Sequence, residues 1–98
     1  MTIELLDEAK DDLVVGHHFY EDQSPGLGAY FPDSLFADVD SLLLYAGSHR
    51  VVYGSHRALA ARFPYAIYYR VEADVVRVRA IIDCRRSPRW IRRHLRNA

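Results

Sequence analysis

The chain has 98 residues, 50% of them hydrophobic and 27% charged, which is the composition of one globular domain and excludes a disordered segment or two separate cores. Thirteen basic residues cancel thirteen acidic ones, and taken whole that excludes the strong positive charge usual in nucleic-acid binders. The balance is divided along the chain, however. Up to His49 there are ten acids and one lysine, Lys10, a net of −9. From Arg50 onward there are twelve arginines and three acids (Glu72, Asp74, Asp83), a net of +9. Such an asymmetry predicts a surface that meets a charged partner.

Cys84 is the only cysteine, so no disulfide forms within the chain. With no secretory leader and no apolar run near membrane-spanning length, the expectation is a soluble, cytoplasmic protein with no membrane association. A domain of this size buries only about 60–65% of its unfolded surface, so stabilisation by a partner is in keeping with its length.

Thr2 to Leu6 is short and β-capable and predicts a first strand. Asp7 follows as the expected N-cap of a helix, with Glu8, Asp11 and Asp12 in early turns where the helix dipole favours anions. Ala9, Leu13, Gly16, His17 and Tyr20 recur at three- and four-residue steps and form one apolar stripe, ending near Asp22 or Gln23. Ser24-Pro25 reads as N-cap and first position of a second helix. That helix carries Leu27, Phe31, Leu35, Val39, Leu42, Leu43 and Ala46 on one face and stops at Gly47. Pro32 inside it predicts a kink or a broken start. The two acidic helices form an antiparallel hairpin.

The second half changes character. Arg57 to Arg62, Tyr65 to Val71 and Val75 to Ile82 are β-rich runs separated by Phe63-Pro64 and Glu72-Ala73-Asp74. In the third, Val75, Arg77 and Arg79 alternate with Val76, Val78 and Ala80, which predicts one basic face and one apolar face. Tyr68 and Tyr69 straddle the sheet, so one of them is expected in the core. Ser87 and Pro88 open a C-terminal helix rich in arginine. The order β-α-α-β-β-β-α, with helices segregated from strands, is α+β: a helical hairpin packed on a mostly antiparallel sheet, followed by a basic C-terminal helix, in a single domain over residues 1–98.

Three stretches carry a family likeness. They are Phe19-Tyr20-Glu21-Asp22-Gln23-Ser24-Pro25-Gly26-Leu27-Gly28, then Arg62-Phe63-Pro64-Tyr65-Ala66-Ile67-Tyr68-Tyr69-Arg70-Val71, then Val75 through Arg86-Ser87-Pro88. Together with the element order, the sequence resembles the RelE/ParE superfamily, the toxins of type II toxin–antitoxin systems, over nearly its whole length. The resemblance implies the RelE/ParE-like fold and a two-gene module. In it, a small antitoxin wraps a helix and an extended segment around the toxin, in a hetero-oligomer, and represses the operon. RelE-like members cut mRNA on the ribosome; ParE-like members inhibit DNA gyrase and need no nuclease site.

Cleavage of RNA by its own 2′-hydroxyl needs a base, a stabiliser of phosphate charge and an acid for the leaving oxygen. The RelE pattern places an Arg after the strand-opening Tyr, but here Tyr65 is followed by Ala66. It places a Tyr in the C-terminal segment, but here Trp90 stands there, and an indole cannot donate a proton to a leaving oxygen. Arg57, Arg85 and Arg86 remain as nuclease candidates. His56 or His94 could supply acid–base chemistry, though neither lies at a family position. The ParE-like reading asks only for a binding surface. Tyr65, Arg70, Arg77, Arg79, Arg85, Arg86, Arg89, Trp90 and Arg93 are the candidates for antitoxin or target binding, being the aromatic and arginine residues from which hot spots are built. A family member without toxicity is the third reading.

Each feature also has a plain alternative. The arginines Arg89, Arg92, Arg93 and Arg96 read as spread around their helix in a solvated face, or as docking onto acidic antitoxin segments. His17 and Glu21, one turn apart, are too few for a metal, and nothing in the sequence asks for a cofactor. Cys84 reads as an inert small hydrophobe.

Overall fold

The computed structural model describes residues 1–98. Strand β1 (Thr2–Leu5) leads into helix α1 (Asp7–Gln23), then α2 (Leu27–Asp40) and the single turn α3 (Leu42–Tyr45). Four strands follow, β2 (Val51–Val52), β3 (Ser55–Leu59), β4 (Tyr65–Glu72) and β5 (Val75–Asp83), and helix α4 (Pro88–Arg96) closes the chain. The sheet order is β1-β5-β4-β3-β2; β1 runs parallel to β5 and every other pair is antiparallel. The α+β architecture, the helical hairpin, the mostly antiparallel sheet and the basic terminal helix are as expected from the sequence.

The hairpin turn is built differently from the expectation. Ser24 caps the end of α1, its N–H donating to Tyr20 O at 3.1 Å, and α2 starts only at Leu27 after Gly26 in the left-handed region (φ 89°). Ser24 does not cap α2, whose cap position is Gly26. The carboxylate of Glu21 takes over, its Oε1 accepting from Gly26 N–H at 3.0 Å and Gly28 N–H at 3.1 Å. An acidic group there satisfies unpaired amides and meets the positive end of the α2 dipole. At the start of α1 the cap position is Leu6, with no side-chain cap, and Asp7 is the first helical residue. The long second helix also divides elsewhere than expected. It runs on through Pro32 and breaks at Ser41, between α2 and α3.

Two helices can approach closely only where side chains are small. A Cβ on Gly16 would lie 2.3 Å from Phe31 Cε2, and one on Gly28 would lie 2.8 Å from His17 O. These contacts set Phe31 against Tyr20, Phe63 and Tyr65 at centroid distances of 5.1, 5.0 and 4.8 Å. Leu35, Val39, Leu42, Ile67, Tyr69, Val76, Val78 and Ile81 complete this main core between hairpin and sheet.

The sheet has a second core on its other face. Ala66, Tyr68, Ala80 and Ile82 pack under Ile91 and Leu95 of α4, with Cys84 and Trp90 at the edge. Tyr68 and Tyr69 are therefore both buried, at 2% and 0% exposure, not one of them alone. The expected single apolar face of β5 is likewise overturned. Tyr68 pairs with Ala80 but Tyr69 pairs with Val78, so Arg79 is an extra residue on β5. A bulge of one residue shifts the alternation. Val76 and Val78 face the hairpin, whereas Ala80 and Ile82 face α4.

The strand expected over Arg57 to Arg62 is β3, Ser55–Leu59, and β2 was not foreseen. Tyr53 (φ 53°) and Gly54 (φ 80°) join β2 to β3, two positive-φ residues in succession, as a type I′ hairpin turn requires. Two residues of β2 are too few for an alternation signal.

Candidate functional site

Helix α4 starts as the sequence predicts. Ser87 Oγ accepts from Trp90 N–H at 3.2 Å and Pro88 occupies the first turn. Its nine residues present three faces. Ile91 and Leu95 are buried on the sheet. Trp90 and His94, one turn apart, stack with ring centroids 4.7 Å apart, and the Arg86 guanidinium lies 4.4 Å from the indole centroid. Arg89, Arg92, Arg93 and Arg96 stand at i, i+3, i+4 and i+7, which is one stripe of a helix and not a scatter around it.

That stripe forms the wall of a cleft of about 640 Å³, with Arg70, Arg79, Tyr53 and Leu95 completing its lining. Specific bonds tie together the elements around the cleft. Arg79 donates to Ser55 Oγ at 2.7 Å and to Leu95 O at 2.9 Å, joining β3 and the last turn of α4 through β5. Arg70 donates to Gly54 O at 3.3 Å. Burial and the neighbouring Arg70 charge push the pKa of Arg79 down. On the far side of α4, His94 Nε2 lies 2.7 Å from Asp12 Oδ1, while Asp12 Oδ2 accepts from Ile81 N–H at 2.9 Å. One α1 carboxylate thus ties α4 to β5. Burial raises the Asp12 pKa, opposed by the Ile81 amide and by His94.

Of the residues singled out in the sequence, Arg70, Arg79, Arg89 and Arg93 meet in the cleft. The others are placed apart from it. Arg77 pairs with Glu4 at 2.8 Å and Glu72 at 3.6 Å. Arg85 is held bidentately by Asp83, at 2.9 and 2.7 Å. Its guanidinium pushes the Asp83 pKa down. Arg86 covers Trp90. Tyr65 is buried in the main core at 8% exposure, and desolvation pushes its pKa up to about 12. Arg57 pairs across the sheet with Tyr68, its Nε buried without a hydrogen-bond partner.

The histidines are placed structurally. His94 is bound to Asp12, and His56 Nδ1 lies 2.6 Å from His49 O, with its ring stacked on Tyr69. Glu21 is spent on the Gly26 and Gly28 amides. Arg92, Arg96 and Tyr53 are the cleft residues that the sequence reading left out of the site. The i, i+3, i+4, i+7 spacing of the four arginines was the available signal.

A guanidinium stays protonated at any working pH. The cleft therefore gathers positive charge on guanidinium groups that exchange no proton. A second surface lies between α1 and α2, an apolar groove of about 470 Å³ lined by Leu5, Leu13, Val14, Pro32 and Phe36, with Lys10 and His17. Val14 and Phe36 are 54% and 45% exposed there. No helix is long and apolar enough to cross a membrane.

No protein-family model matches the chain, and no curated protein resembles it detectably. Among solved structures, the chain is similar to a chain of the chromosomal ParDE TA system from P. aeruginosa. The TM-score is 0.76 at 18% identity, and the match covers 85% of this chain and 95% of that one. The likeness is one of fold: the protein is an α+β chain built on the same architecture.

Proposed function

We propose that this chain is the single-domain toxin of a two-gene toxin–antitoxin module, which inhibits DNA gyrase by binding it in the cytoplasm and is silenced by a cognate antitoxin bound directly to it. The observation that carries this reading is the fold shared with a chain of the ParDE system, in a sequence whose three stretches independently resemble that superfamily. The action is binding and not catalysis. The cleft arginines have no titratable proton to give, and two of the three nuclease candidates are engaged elsewhere, Arg85 by Asp83 and Arg86 by Trp90.

The two surfaces suit different partners. An amphipathic antitoxin helix fits the apolar groove between α1 and α2, where its apolar side chains would cover Val14 and Phe36. The basic side, with α4, faces the target. The test is paired assays on the same purified protein: supercoiling by gyrase, and primer extension on cellular mRNA after induction. Inhibited supercoiling with intact transcripts supports the reading. Cleaved transcripts would replace it with a ribosome-dependent endoribonuclease. Normal growth on expression without antitoxin would leave a family member that is not toxic.

A further inference from the structure

The guanidinium groups of Arg70, Arg79, Arg89, Arg92, Arg93 and Arg96 line one cleft, and no carboxylate lines it with them. The ion pairs of the molecule engage Arg77, Arg85, His94 and the N-terminus, never a cleft arginine. Arg70 and Arg79 are fixed by hydrogen bonds to Gly54 O, and to Ser55 Oγ and Leu95 O. The four on α4 present their donors to the cleft unengaged. Thirteen acids are available in the sequence, and none is brought here. Like charges gathered against protein walls repel one another, and an anion between them would relieve that repulsion.

We infer that the cleft is a binding site for a small anion carrying several adjacent phosphoryl groups, the chemistry of a nucleoside triphosphate or a short polyphosphate. Charge density favours phosphoryl groups over carboxylates. A phosphoryl group brings up to about two charges and three acceptor oxygens, whereas an acidic peptide brings one charge per residue. The planar guanidinium fork matches phosphate oxygens two at a time. Tyr53 stands among the lining residues, 43% exposed, with the Arg92 guanidinium 5.8 Å from its ring centroid. Its face gives a base something to stack on. The cleft shares its α4 arginines with the side assigned above to the target, but the inference rests on the cleft geometry and is tested without gyrase. An anion seated here bridges α4 to the sheet, so its binding stabilises the folded chain.

Isothermal titration calorimetry and thermal melts of the full chain, at near-physiological salt, test this with inorganic tripolyphosphate and ATP as probes. Hexaglutamate is the competing anion. The expected result is saturable tripolyphosphate binding and a raised Tm. Affinity falls about tenfold or more in Arg92→Gln/Arg96→Gln, whose exposed side chains leave the core intact. It is unchanged in Arg62→Gln, an exposed arginine outside the cleft. ATP binding more tightly than tripolyphosphate, with the difference lost in Tyr53→Asn, assigns the nucleoside source. Equal affinities assign the phosphate chain alone, and both outcomes support the site. Absence of saturable tripolyphosphate binding overturns it, as does undiminished affinity in the double variant. Hexaglutamate binding as tightly as tripolyphosphate also overturns it, in favour of an acidic peptide.

Discussion

Arg79 donates a hydrogen bond of 2.9 Å to the carbonyl of Leu95 in the last turn of α4, which also accepts from Ala98 N–H at 3.2 Å. Because Arg79 is also the bulged residue of β5, the step that switches the strand from one core to the other also anchors the terminal helix. Loss of this side chain should loosen α4 before the rest of the fold. For Arg79→Met, with its charged hydrogen bonds gone and its stem retained, the expected destabilisation is about 2 kcal/mol. Urea denaturation measures it. Trp90, the only tryptophan, reports α4 by fluorescence, and its transition should precede loss of the far-ultraviolet signal. Coincident transitions at the parent's midpoint would contradict the anchoring role.

Gly16→Ala should destabilise the protein although alanine is the better helix former by about 1 kcal/mol. Its Cβ would lie 2.3 Å from Phe31 Cε2, and Phe31 is fully buried among Tyr20, Phe63 and Tyr65. Overpacking at such a crossing costs about 1–3 kcal/mol. A fall in Tm is the expected reading, and a rise would mean that the ring has room to move.

The pH dependence of stability should carry an Asp83 contribution. Its hydrogen bonds to Arg85 hold the folded pKa below the unfolded value of 3.8. A depressed carboxyl pKa adds stability that is present above the unfolded value and is lost as the pH falls through the folded one. Asp83→Asn should therefore be less stable than the parent near neutrality, with the gap closing below pH 3.8. Arg85 is 58% exposed, so the gap is small and screened by salt. Thermal melts across pH, with and without added salt, measure it; a gap that widens in acid would invert the assignment.

Under the proposed function, charge reversal on the α4 stripe should remove growth inhibition. Arg89→Glu with Arg93→Glu is expected to abolish it without loss of folding, since both side chains are exposed. Arg85→Ala with Arg86→Ala is expected to weaken it. Expression in cells lacking the antitoxin, with circular dichroism as the folding control, reads both. A basic-turn variant as inhibitory as the parent would show that this turn is not the working surface.

Much of the architecture was legible because its signals are local. The stripe from Ala9 to Tyr20, the Ser87-Pro88 start of α4 and the stop at Gly47 each depend on a few neighbouring residues. The misreadings share a different cause. Ser24-Pro25 has the composition of a cap, but Glu21 reaches across the turn and serves the same amides. Strand β2 exists because Tyr53-Gly54 folds it onto β3, and two residues carry no period. The alternation through Val76, Val78 and Ala80 read as one continuous apolar face because a bulge has no marker in composition.

The sequence by itself determined the α+β class, the hairpin, the division of charge and the basic terminal helix. Periodicity, capping residues and charge counts are properties of short segments. Only the tertiary structure decided which arginines act together. Arg77 and Arg79 are two residues apart, yet one pairs with Glu4 and Glu72 at 2.8 and 3.6 Å while the other lines the cleft with Arg70 and the α4 stripe. Arg77 lies level with Glu4 of β1, whereas Arg79 lies under the last turn of α4, which Asp12 and Arg79 dock onto the sheet. Those contacts join residues far apart along the chain, where no local pattern reaches.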